Sequence, residues 1–140
     1  MRKIIILLIY TFSALYLQAQ EEKPFSGYLY NEEYQVYMQL DLYDSSVKVP
    51  NQDIYGELPG YFGAKRDTRL WLVTEAEIVS KKKAILSATN DFGSEDFVGE
   101  LIYDGDGNYT FKHKEGSTWK IVVNNKYVKI PKMIKLTRVD

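Results

Sequence analysis

Cysteine is missing from all 140 residues. Disulfide staples, thiolate nucleophiles and cysteine-held metals are therefore excluded, as is the bacterial lipid anchor that needs a cysteine at the cleavage site. Histidine is nearly missing too. His113 stands alone, and one imidazole without further ligands makes no zinc site. After residue 20 no apolar pattern holds the 3.6-residue period of a helix over a useful length. Neither Gly-x-Ser-x-Gly nor a phosphate-cradling glycine loop occurs. There is no internal repeat, low-complexity tract or linker. No cofactor and no metal is expected.

What is present begins with Arg2 and Lys3, followed by an apolar run from Ile4 to Leu17 and a small residue at Ala19. This three-part pattern predicts a secretory signal over residues 1–19 and a mature chain of one domain over 20–140. A retained membrane anchor is the competing reading. It is disfavoured because the run is 14 residues long and contains Thr11 and Ser13, whereas a spanning helix needs ~20 apolar residues. The ending Leu-Gln-Ala-Gln resembles signal peptides of Gram-negative bacteria. The expected location is the periplasm or the extracellular space, with no transmembrane span left after cleavage.

Charge is balanced overall and uneven along the chain. Residues 21–106 hold 8 basic and 17 acidic groups, whereas residues 107–140 hold 8 basic and 2 acidic ones. Such asymmetry can mark a patch for an anionic partner. The favoured reading is that strands distant in sequence pair and neutralise each other. Nucleic acid is not an expected partner, because the mature chain is net acidic and exported.

The strongest local pattern is a strict alternation over Tyr34 to Tyr43, in which Val36, Met38, Leu40 and Leu42 share one face. Shorter runs predict strands over 25–30, 70–78, 83–89, 97–103, 109–114, 119–123, 126–130 and 133–139. Between them lie turns at 80–82, at Asp104 to Asn108 and at Asn124-Asn125, whose residues suit tight or positive-φ conformations. Residues 47–65 are irregular, with Pro50, Gly56, Pro59, Gly60 and Gly63, and read as one or two short strands with a bulge or wide loop. The fold class is all-β: a single antiparallel meander of about eight or nine strands closing into a small barrel or sandwich.

Strand number, spacing and the opening Phe25-Ser26-Gly27-Tyr28 resemble small secreted barrels of the lipocalin or calycin kind. The Gly-x-Trp that marks the first lipocalin strand is missing here, so the resemblance implies an architecture and transfers no residue roles. Asn90 to Asp96 also looks like a stretch found in uncharacterised bacterial exported proteins.

Three groups of residues are candidates for function. Trp71, Trp119, Tyr109 and His113 could line a calyx for an apolar or sugar ligand, or else belong to an ordinary core. Asp91, Glu95 and Asp96 could converge on a cation or act as acid and base. The simpler reading is a solvated loop with an Asx-turn at Asn90 or Asp91 and a positive-φ Gly93. Asp104, Asp106, Asn108 and Glu115 match positions 1, 3, 5 and 12 of a calcium loop. Tyr109, however, stands where that loop needs glycine, so a hairpin turn is expected instead. The lysines from Lys120 to Lys135, with Arg138, suit a basic ridge that discourages sheet aggregation or meets an acidic protein or lipid head group.

These readings leave two function classes. The first is an exported, non-catalytic binding protein of the bacterial cell envelope, holding a small ligand in the barrel or a protein partner on its surface. The second is a small barrel hydrolase or isomerase using the loop carboxylates. A hollow interior would favour a ligand or an enzyme, and a filled one a surface partner.

Overall fold

The computed structural model describes residues 23–52 and 54–139; the signal segment lies outside them. Twelve strands form: β1 (Ser26–Asn31), β2 (Val36–Asp41), β3 (Val47–Lys48), β4 (Glu57–Leu58), β5 (Gly60–Ala64), β6 (Asp67–Ser80), β7 (Lys83–Asn90), β8 (Asp96–Gly105), β9 (Asn108–Gly116), β10 (Lys120–Val123), β11 (Lys126–Lys129) and β12 (Met133–Arg138). Eight of them close into an antiparallel barrel in the order β1-β12-β9-β8-β7-β6-β5-β2. Each barrel strand pairs with its chain neighbours, apart from two interruptions, so the barrel is an up-and-down meander. The barrel alternative holds and the sandwich does not.

The interruptions are two small ribbons. β3 and β4 pair with each other, as do β10 and β11, and neither pair enters the barrel. Residues 119–130 were expected to extend the meander. They leave it instead, because Trp119, Ile121 and Ile130 point down into the mouth of the barrel and are buried there.

Alternation fixes which residues face inward. Along β2 the pattern runs buried, half-buried throughout, with Val36, Met38 and Leu40 inside. Eight strands enclose a space that side chains can just fill. Here they do so with Phe62, whose ring lies 5.5 Å from Phe111 and 5.1 Å from Trp119, and with Phe97, 5.0 Å from Trp71. Gly99 admits the Phe111 ring, which a Cβ there would strike.

The far end of the β8–β9 hairpin is closed by the chain's own N-terminal strap. Phe25 is buried, and the Tyr109 hydroxyl donates to the Pro24 carbonyl at 2.5 Å. Asn31, buried at the β1–β2 turn, donates to the Lys135 carbonyl at 2.7 Å and accepts from the Tyr34 N–H at 2.8 Å.

The turns take the conformations their residues suggest. Asp106 and Gly107 both have positive φ in the two-residue β8–β9 turn, as do Asn124 and Asn125 between β10 and β11. Opposite charges meet across sequence. Lys114 lies 3.7 Å from Glu100, Lys120 2.9 Å from Glu95, and Lys135 3.8 Å from Asp104. Each of these contacts joins the basic C-terminal stretch to the acidic remainder.

Candidate functional site

A cleft of about 180 Å³ opens where the β10–β11 ribbon meets the barrel. The start of β6 supplies Asp67, Arg69, Leu70 and Trp71, and the ribbon supplies Lys120, Val122 and Tyr127. The β7–β8 loop contributes Asp91, Phe92 and Glu95 on the remaining side.

Each wall is held by a specific bond. The Val122 N–H donates to the Asp67 carboxylate at 2.8 Å, and the Trp71 indole N–H donates to the Lys120 carbonyl at 3.3 Å. Lys120 donates to Glu95 at 2.9 Å, and its ammonium sits 5.0 Å from the centre of the Tyr127 ring. Asn90 shapes the loop: its side-chain oxygen accepts from the N–H groups of Ser94 (2.9 Å) and Glu95 (3.2 Å). Gly93 takes a φ of 71°. The positive φ of Gly93 is as the sequence predicts, whereas the Asn90 oxygen reaches four and five residues on, beyond the two of the expected Asx-turn.

Two aromatic rings stand on the rim. Phe92 is 80% exposed and Tyr127 67% exposed, although both are large enough to gain from burial. The arrangement therefore offers an apolar rim, a Trp71 floor and carboxylates of which Glu95 is already paired. Its side chains offer hydrogen bonding and ring stacking.

The residues singled out from sequence do not converge on one place. Trp71, Asp91 and Glu95 share this cleft. Asp96 does not line it; its carbonyl accepts from the Ser117 N–H at 2.7 Å, and its side chain faces solvent. Trp119 and Tyr109 are buried core residues at opposite ends of the barrel. His113 packs 5.3 Å from Phe97, and its Nε2 lies 2.7 Å from the Ser117 carbonyl. A carbonyl only accepts, so Nε2 carries the proton.

Asp104 bonds the Thr110 hydroxyl at 2.6 Å. Glu115 pairs with Val98, whereas Asn108 pairs with Gly105 at the other end of the hairpin, so the calcium-loop pattern is drawn out along a strand. Among the described residues no group of three or more His, Cys, Asp or Glu is placed to hold a metal ion. No helix among them is long and apolar enough to cross a membrane.

Asp67, Arg69, Lys120 and Tyr127 were not singled out together from sequence. They come from β6, β10 and β11, and only the docking of the ribbon brings them side by side.

Fold and cleft define an eight-stranded up-and-down barrel with an aromatic core and a side-chain-lined cleft beside the β10–β11 ribbon. No family model, curated protein or solved structure matches the chain.

Proposed function

We propose that this chain is an exported, non-catalytic binding protein of the bacterial cell envelope that engages a partner through the cleft beside the β10–β11 ribbon. The observation that supports this is the filled lumen. Phe25, Phe62, Phe97, Phe111 and Trp119 occupy the volume a calyx would need, so recognition falls to the outside. The exposed Phe92 and Tyr127 beside Arg69 are residue types enriched at protein interfaces.

The test immobilises the purified chain and a Phe92→Ala/Tyr127→Ala variant and passes envelope extract over both. The expected result is a component held by the first and lost from the second. Equal retention on the two would overturn the reading. So would turnover of glycoside, ester or isomerisable substrates that Asp91→Asn abolishes.

A further inference from the structure

The outer wall formed by β1, β2 and β5 carries a second recess. It is separate from the cleft at the ribbon and opens to about 460 Å³, within the ~300–1,000 Å³ of small-molecule sites. The β3–β4 ribbon forms one side of it through Val47 and Lys48.

Tyr61 lines it, and Tyr28 and Tyr37 stand beside it on the outward side of the same strands. Tyr28 and Tyr37 stack at 5.2 Å with 20° between their planes, and Tyr61 meets Tyr37 edge-on at 6.0 Å. Burial raises the hydroxyl pKa of all three above the usual tyrosine value, and for Tyr28 and Tyr37 the neighbouring phenols add to the effect. Ordinary sheet packing accounts for part of this. Tyr37 lies across Gly63, where a Cβ would come within 2.5 Å of its hydroxyl, and aromatic cover of a strand glycine is a common stabilising device.

It does not account for Gln39. Cross-strand register sets Gln39 between Tyr28 on β1 and Tyr61 on β5. The residue is half-buried and lines the recess, and its amide makes no hydrogen bond to another described residue. Asp41 stands two residues on, its carboxyl held below the usual range chiefly by the Ser46 hydroxyl, and Lys48 faces it from the ribbon side.

We infer that this recess binds a pyranose oligosaccharide. A pyranose ring pairs an apolar face of C–H groups with an equatorial belt of hydroxyls. The C–H face suits the negative face of a tyrosine ring. The hydroxyls are donors and acceptors at once, and an unpartnered amide answers adjacent ones with one donor and one acceptor. Asp41 adds an acceptor and Lys48 a donor, while Arg138, which also lines the recess, donates to the carbonyls of Lys23 and Ser26. An aliphatic ligand would leave Gln39, Asp41 and Lys48 unmatched. The inference is independent of the partner proposed for the other cleft.

The experiment titrates the purified chain with chito-, malto- and xylo-oligosaccharides by calorimetry. Backbone and side-chain amide shifts are followed by NMR, and decaproline serves as a comparison because aromatic grooves also take proline-rich peptides. Expected are saturable binding of one sugar series and a shifted Gln39 side-chain amide. Affinity should fall about three- to tenfold in Gln39→Val, as loss of a neutral hydrogen bond or two brings. Phe92→Ala, in the other cleft, should leave it unchanged, and Gln39→Val keeps a good strand former on an outward position. The inference fails if no sugar binds, if Gln39→Val binds as well as the parent, or if decaproline binds and the sugars do not.

Discussion

Single side chains in this barrel are held in place by what lies directly opposite them. Gly99 is the sharpest case, because the Phe111 ring occupies the space of its missing side chain. Gly99→Ala should cost about 1–3 kcal/mol, as overpacking of a filled core does, read as a lower urea midpoint with an unchanged slope. The tyrosines of the outer wall make a prediction about pH. Tyr28, Tyr37 and Tyr61 have raised pKa values in the fold, so the unfolded chain ionises first as pH rises. Their contribution to stability is complete below about pH 10, the value for free tyrosine, and is lost as pH climbs through the higher folded values. Absorbance at 295 nm should show these phenols titrating later in the native protein than in urea, with the thermal midpoint falling over the same range.

At the scale of elements, the β10–β11 ribbon behaves as a plug whose stability comes from its buried face. Trp119→Ala removes a ring packed among Phe62, Phe97 and Phe111 and should cost about 3–5 kcal/mol. Lys120→Ala removes a partly exposed ion pair with Glu95 and should cost under about 1 kcal/mol. Equilibrium denaturation of the two variants separates packing from charge; equal losses would mean the ion pair holds the plug.

The ribbon also marks where sequence reading stops. The alternation of Val36 to Leu40 reports its own buried face, and Asn124-Asn125 reports its own turn, because both are local. Nothing local distinguishes a hairpin that joins the barrel from one that folds over its mouth, since Trp119 and Ile121 alternate alike in both cases. β5 hides for a similar reason. Pro59, Gly60 and Gly63 leave residues 47–65 reading only as one or two short strands with a bulge or wide loop, and the sequence does not show that Tyr37 of β2 covers Gly63 within a barrel strand. Of the cleft, the positive φ of Gly93 was legible, whereas the company of Asp67 and Lys120 depends on tertiary docking.

For the molecule as a whole, the decisive contact is the one between its two ends. β1 pairs with β12, Leu29 opposite Arg138 and Tyr30 opposite Thr137. Arg138 also donates to the carbonyls of Lys23 and Ser26. The termini of the described chain therefore lie side by side, and a short linker should join them without strain. A circular permutant reopened in the exposed turn at Lys81-Lys82 should fold to the same far-ultraviolet spectrum and unfold in one transition. A molten or aggregated product would show that strand order in time, and not only adjacency, is needed.

That seam has a consequence for how the molecule comes into being. Synthesis delivers β1 before every other barrel strand and β12 after them, and until β12 arrives β1 and β9 remain two open edges. A chain emerging N-terminus first can collapse around its aromatic residues but cannot seal. Closure waits for β12, so a product truncated before Met133 would expose both edges to any strand nearby.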